Sequence, residues 1–167
     1  MRTIVALAMV MAASLALVGC GGKKLEECKA LIGAINPHTT QVRKLSDSLT
    51  ADTSMEAGAK IFQSMATEVE TGAAEVKKLN METPELKKFG EDYQKMCADS
   101  SKAFKDMIAV SKKIGDAQKA AATNPEAAQA DLTKAQADAA TAEAEMKKAT
   151  APEDGIVDGI NKFCGAE

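Results

Sequence analysis

The sequence predicts an all-α fold: an antiparallel up-down four-helix bundle with coiled-coil-like packing, in which helices 3 and 4 are longer than helices 1 and 2. Two observations lead to this prediction. Apolar residues recur at alternating spacings of three and four along most of the chain, which is the pattern of a helical seam. Prolines and N-capping residues divide the chain into helix-length segments with short connections, which place successive helices side by side in opposite directions.

The N-terminus is predicted to be an export signal that does not belong to the bundle. Arg2 supplies a positive charge, and an apolar run from Ile4 to Val18 follows, interrupted only by Ser14. About 15 apolar residues are too few to span a bilayer comfortably, but they match the apolar core of a secretory signal. The small residues Gly19, Gly21 and Gly22 end the run abruptly.

The end of this run, Leu17-Val18-Gly19-Cys20, resembles the lipobox of bacterial lipoproteins. The resemblance implies cleavage between Gly19 and Cys20, diacylglycerol on the Cys20 sulfur and an acyl chain on its new amino group, and it implies no other cofactor. Several buried acyl chains, at ~0.8 kcal/mol per CH2, form a firm membrane anchor. The predicted organisation is a cleaved signal peptide at 1–19, a lipidated tether at 20–24 and a single helical-bundle domain at 25–167.

The lipobox resemblance also implies a location. It places the protein in the cell envelope, anchored to a membrane and facing the periplasm. Gly21 follows Cys20 in place of the aspartate that retains lipoproteins at the inner membrane in some bacteria, so the outer membrane is favoured over the inner. The segments CKALIGAIN and GINKFC resemble small helical lipoproteins predicted in Gram-negative bacteria, a group that carries no known activity.

Helix starts can be placed from capping residues. Thr53 with Glu56 fits a capping box at the start of helix 2. Helices 3 and 4 begin with an N-capping residue, a proline and an acid, in Thr83-Pro84-Glu85 and Asn124-Pro125-Glu126. Two further prolines leave alternatives open: Pro37 fits either a kink in helix 1 or a new helix, and Pro152 fits either a kink in helix 4 or a short restart.

The seam residues are the predicted core. Helix 1 contributes Leu25, Cys28, Ile32, Ile35, Thr39, Val42 and Leu49; helix 2 contributes Met55, Gly58, Phe62, Met65, Val69, Gly72, Val76 and Leu79. Helix 3 contributes Leu86, Phe89, Tyr93, Met96, Ser100, Ala103, Met107, Val110, Ile114, Ala117 and Ala121. Helix 4 contributes Ala128, Leu132, Ala135, Ala139, Ala142, Met146 and Ala149, and the same phase continues past Pro152 with Ile156, Ile160 and Phe163. The methionines among them are predicted to fill the core rather than to form a copper-linked surface.

Helix lengths predict an arm. Helices 1 and 2 should run ~40 Å, whereas helix 3 and the stretch from Pro125 to Cys164 should run ~60 Å. The projecting part, from Ala117 to Ala140, has alanine on most of its seam. Two explanations remain open: alanine lets two helices approach closely, or it is simply a good helix former.

Export to an oxidising compartment makes a disulfide the default state for the remaining cysteines. In an up-down bundle the start of helix 1 lies beside the end of helix 4, so we predict a bond between Cys28 and Cys164. Cys97 lies about thirteen residues into helix 3, ~20 Å from that end, which is out of bonding range. We expect it to be a buried free thiol beside Phe104.

The composition argues against several classes of function. The net charge is −3 with charges mixed along the chain, so neither a nucleic-acid footprint nor a basic membrane-binding surface is indicated. Aromatic residues are 3% and tryptophan is absent, which argues against a carbohydrate- or base-stacking groove. Carboxylates such as Glu68, Glu70 and Glu75 alternate with lysines and are predicted to lie on solvated helix faces.

No catalytic or metal-binding residue is predicted. His38 is the only histidine, and no cysteine stands three or four residues from it, so we predict a solvated or helix-packing side chain. Haem attachment needs Cys-x-x-Cys-His, and a di-iron bundle needs Glu-x-x-His; the sequence has neither motif. We therefore expect a protein that is not an enzyme.

Two functions follow from these expectations. The first is a membrane-anchored spacer, adaptor or partner-binding module, with a protein partner at the tip between helices 3 and 4, at 122–125. The alternative is a carrier of a small ligand or metal within the bundle, in space left by Gly72, Ser100 and Ala103. The sequence does not determine the oligomeric state, because heptad seams also pair between chains.

Overall fold

The computed structural model describes residues 22–50 and 53–165, and these residues are all-helical, with no strand among them. There are four long helices, and the last is interrupted at Ala151, which gives five segments. Their bounds are α1 (Gly22–Asp47), α2 (Met55–Lys77), α3 (Pro84–Ala121), α4 (Pro125–Thr150) and α5 (Pro152–Cys164). The predicted helical bundle is confirmed at this level. None of the described helices has the length and apolarity that a bilayer-crossing segment needs.

The two ambiguous prolines behave differently. Pro37 lies inside α1, which continues through it, so the alternative of a new helix is wrong. A proline removes one backbone hydrogen bond, and here Ile35 before it and Val42 after it both pack on the bundle core, which holds one helix across the gap. At Pro152 the chain restarts: α4 ends at Thr150 and α5 begins at Pro152, with one residue between them.

The capping box predicted from Thr53 and Glu56 is wrong by one residue. The N-cap of α2 is Ser54, whose hydroxyl accepts a hydrogen bond from the Ala57 N–H at 3.2 Å. Thr53 turns back instead and accepts from the Thr50 N–H at 2.8 Å, while Glu56 pairs with Lys60 one turn further on. Two adjacent hydroxyl residues compete for the cap, and the geometry of the preceding turn decides between them.

The core contains the large side chains of α1, α2, α3 and α5. Phe62 and Phe104 stack across α2 and α3 with ring centroids 6.3 Å apart. Leu31 is fully buried although it lies outside the predicted seam. It is buried because α1 contacts α2, α3 and α5, and three neighbours bury a wider stripe than one seam. Met55 was predicted to fill the core, but it is 44% exposed, because as the first residue of α2 it lies beyond the packed layer.

A different kind of packing joins α3 and α4. Among the described residues, α4 contacts α3 and α5 but neither α1 nor α2. Its fully buried residues are all alanines. Buried positions recur every seven residues on both helices, at Ala103, Val110 and Ala117 of α3 and at Ala128, Ala135 and Ala142 of α4. We call α3 from Ala103 onward, together with α4 as far as Ala142, the alanine region.

Candidate functional site

Three separate parts of the chain meet where α1 begins. Cys28, in the second turn of α1, forms a disulfide with Cys164, the last residue of α5, with the Cα atoms 5.8 Å apart. This bond agrees with the pairing predicted from the sequence. We call the surrounding residues, 22–31, 77–83 and 160–165, the disulfide end.

Aromatic contacts close this end of the bundle. The Phe163 ring packs edge-on against Phe89 of α3, with centroids 6.3 Å apart. The Lys24 ammonium lies over the same Phe163 ring, 3.9 Å from its centroid. A Cβ at Gly159 would lie 2.7 Å from the Phe89 ring, so the missing side chain lets α5 approach α3 closely. The start of α1 and the end of α5 are therefore held together by more than the disulfide.

Glu27 connects α1 to the start of α3. This carboxylate is buried and accepts hydrogen bonds from the Glu82 and Thr83 N–H groups at 3.1 and 3.0 Å. Bonds from the hydroxyl and N–H of Thr83, and then from Glu82, hold the Glu27 pKa below its usual value. Thr83 is the predicted N-cap of α3, but its own side chain makes no cap bond; Glu27 satisfies these amides from another helix. Sequence spacing gives no sign of this role.

The predicted lipidation and cleavage residues, Cys20 and Gly19, lie outside the described residues. Of the residues predicted to form a tether, 20–24, the last three belong to α1, which begins at Gly22. Lys23 also forms an ion pair with Glu82 in the connection between α2 and α3. Only Gly21 thus separates Cys20 from Gly22, the first helical residue, and the two Cα–Cα steps between them reach at most about 7 Å.

His38 occupies the centre of a polar cluster between α1 and α2. Its Nδ1 lies 2.9 Å from Glu68 and its Nε2 3.2 Å from Glu75, and its side chain is 12% exposed. Of the two predicted alternatives, the structure has the helix-packing histidine. Glu75 is exposed, as expected of a solvated helix face. Glu68 is only half-exposed, because helix pairing turns it toward α1.

Charge in this cluster favours the protonated imidazole. Burial opposes the charge, but hydrogen bonds and electrostatic attraction from Glu68 and Glu75 outweigh it and raise the His38 pKa. Because the two carboxylates contact opposite nitrogens, the arrangement is an ion-pair bridge. No group of three or more His, Cys, Asp or Glu side chains in the described part of the chain is arranged to hold a metal ion.

The space expected beside Gly72 is occupied. A Cβ added there would lie 2.7 Å from the Tyr93 hydroxyl and 3.1 Å from the His38 side chain. Ser100, another residue of the predicted cavity, is buried, and its hydroxyl points at the Ala149 carbonyl at 3.5 Å. Ala103 is buried in the alanine region. Small residues at these positions bring helices together.

Cys97 is buried and unpaired, as expected. Burial in the apolar core raises the pKa of its thiol to about 11, although a hydrogen bond from Tyr93 opposes the shift. Burial also raises the Tyr93 pKa. At neutral pH the Cys97 sulfur is therefore a thiol, which is a weak nucleophile.

An open groove of about 510 Å³ runs along α2 and α3 above Cys97. Glu70 forms one wall and accepts from Ser101 at 2.6 Å and from Lys105 at 2.5 Å. The Lys105 ammonium, followed by the Ser101 hydroxyl, lowers the Glu70 pKa. None of Gly72, Ser100 and Ala103 lines this groove, so it is separate from the cavity predicted from the sequence.

Comparison with known proteins adds no relative: no protein-family model, no curated protein and no solved structure matches this chain.

Proposed function

We propose that this chain is a non-enzymatic envelope lipoprotein, anchored through acyl chains on Cys20 and facing the periplasm, whose bundle acts as a spacer, adaptor or partner-binding module. The observation that carries the proposal is the lipobox-like Leu17-Val18-Gly19-Cys20 placed two residues before a folded helix. We favour the outer membrane, because Gly21 follows Cys20.

The proposal includes an antiparallel up-down arrangement. It is supported by the pairing of early residues of one helix with late residues of the next. On α2 and α3, Phe62 contacts Phe104, whereas Val76, further along α2, lies beside the earlier Gly90. On α3 and α4, Ser100 points at Ala149, whereas the later Lys113 pairs with the earlier Asp138 at 2.7 Å.

We propose that the connection between α3 and α4, at 122–125, is the part farthest from the membrane and the contact point for a protein partner. At 1.5 Å per residue, the 38 residues of α3 extend ~57 Å and the 23 residues of α2 extend ~35 Å. With the disulfide end held at the membrane, this difference supports a projecting arm from Ala117 to Ala140, within the alanine region. The alanine seam of this arm suits two helices that have no third neighbour to cover large side chains.

Lipidation is tested by labelling cells with a palmitate analogue and determining the mass of the mature N-terminus. The wild-type chain should incorporate label and begin at Cys20. Cys20→Ser should lose both the label and the cleavage, whereas the matched control Cys97→Ser should keep both. An unlabelled wild-type chain that remains soluble after export would refute the anchor.

The partner site is tested by photo-crosslinking in intact cells. A photoreactive side chain at Thr123 should give a discrete protein adduct, whereas the same group at the exposed Thr67 of α2 should give none. Adducts of equal yield from both positions, or from Thr67 alone, would contradict a partner at the tip.

Small-ligand carriage is a second candidate, supported by the groove above Cys97. Native mass spectrometry of protein purified from its own envelope should then show a bound small molecule. Ala98→Trp, which fills the groove, should displace the molecule, and Ala130→Trp on the exposed face of α4 should not. Wild-type protein that carries no added mass would rule out this function.

A further inference from the structure

The start of α1 has little freedom to move relative to the rest of the disulfide end. Lys23 pairs with Glu82, the Lys24 ammonium covers the Phe163 ring, and Cys28 is covalently bound to Cys164. An acyl anchor on Cys20, at most about 7 Å of chain away, would therefore hold the connection between α2 and α3 and the end of α5 at the membrane surface. Contact between this end and lipid headgroups is a consequence of the short tether.

The charge of the disulfide end suits an anionic surface. Lys77 and Lys78, at the end of α2, and Lys162, in the last turn of α5, are exposed. Each forms no ion pair with any residue that the structure describes. Two exposed acids, Glu26 within the disulfide end and Glu85 just beyond it, offset part of this charge. Together with the exposed Lys24, the three unpaired lysines leave the end with an excess of positive charge.

We propose that the disulfide end is a docking surface for anionic phospholipid headgroups, bound by Lys24, Lys77, Lys78 and Lys162. The proposal rests on the lipid anchor at Cys20 proposed above, since the anchor brings the surface to the bilayer. Each lysine near an anionic membrane raises the membrane-binding constant by a factor of about five. The lysines hold the bundle upright on its anchor, and the alanine region points away from the membrane.

The test is amine footprinting of the lipidated protein on vesicles, read by mass spectrometry. The protein is reconstituted in phosphatidylcholine vesicles with or without phosphatidylglycerol, and acylation rates are compared lysine by lysine. Lys77, Lys78 and Lys162 should react about fivefold more slowly on the anionic vesicles, and high salt should remove the difference. Lys112 and Lys119 of α3 serve as internal controls and should react equally on both.

Paired charge-reversal variants test whether the lysines act together. Lys77→Glu with Lys78→Glu should abolish the protection of Lys162. The control variant, Lys112→Glu with Lys119→Glu, should preserve the protection of Lys162. This control changes the charge by the same amount, and Lys119 occupies the last turn of α3 as Lys77 does on α2.

Two negative results are distinguishable. Protein that floats with both vesicle types but shows equal lysine reactivity overturns the headgroup surface and leaves the anchor intact. Protein that floats with neither overturns the anchor and this surface with it.

Discussion

The disulfide end and the alanine region belong to one bundle but use different kinds of packing. At the disulfide end, aromatic and aliphatic side chains from α1, α3 and α5 surround a covalent cross-link. In the alanine region two helices pack through methyl groups, and α4 has no contact with α1 or α2 within the described residues. One end therefore derives its stability from buried area and chain constraint, and the other from close backbone approach.

The disulfide gives the largest expected effect. Replacing both Cys28 and Cys164 by Ser releases a loop spanning 136 residues, and the chain-entropy model puts the lost free energy of unfolding at about 5 kcal/mol. Urea unfolding followed by circular dichroism measures the loss. Cys97→Ser, which breaks no bond, is the control and should change stability much less. Equal effects would mean that the cross-link does not stabilise the bundle.

The alanine seam should not tolerate larger side chains. Ala135 is 2% exposed and faces α3, so Ala135→Leu forces the helices apart and should cost about 1–3 kcal/mol. Ala137→Leu, on the exposed face of the same helix, should be within about 0.5 kcal/mol of the parent. Similar melting temperatures for the two variants would show that alanine serves there only as a helix former.

Two glycines in long helices should respond to the same substitution with opposite signs. Gly72→Ala places a Cβ 2.7 Å from the Tyr93 hydroxyl and should destabilise the protein by about 1–2 kcal/mol. Gly115 of α3 has no neighbour within 4 Å of such a Cβ, so Gly115→Ala should stabilise it by about 0.5–1 kcal/mol through helix propensity. Thermal unfolding measures both, and a Gly72→Ala variant as stable as the parent, or more stable, would contradict the close approach at Gly72.

The smallest effect is a pH dependence from His38. Its pKa is raised above the ordinary value of 6.5 by Glu68 and Glu75, so the ion-pair bridge stabilises the folded state fully below that value. The contribution is lost as pH rises through the raised pKa, by an amount of the order of 0.5 kcal/mol. His38→Gln removes the only histidine and should flatten the unfolding free energy across this range. If the variant and the parent show the same slope of unfolding free energy against pH, the pH dependence comes from other groups.

Periodicity predicted much of the core in the helix interiors. Met65, Val69 and Val76 of α2 and Ala128 and Ala135 of α4 are buried as the spacing indicates. Two positions depart from that pattern. Leu31 is buried because α1 packs on three helices, and Met55 is exposed because the packed layer ends before it.

The polar contacts of the site could not be predicted from the sequence. Glu27 and Glu68 look like any acid on an amphipathic helix until a neighbouring helix approaches them. The residue spacing in one helix indicates which face of that helix is apolar. It does not indicate which side chains of a neighbouring helix will pack against its polar face. The polar partners of His38 and the amides capped by Glu27 therefore became evident only in the folded chain.

The all-helical class followed from the amino-acid order alone, because three-four spacing and proline positions are local properties that a helix satisfies without help from the rest of the chain. The pairing of Cys28 with Cys164 followed once the order of helices was assumed. Tertiary structure was needed to show that α1 begins at Gly22, that Lys24 covers Phe163 and that Glu27 caps α3. These features join residues far apart in the sequence, and their geometry is determined only when the helices pack together.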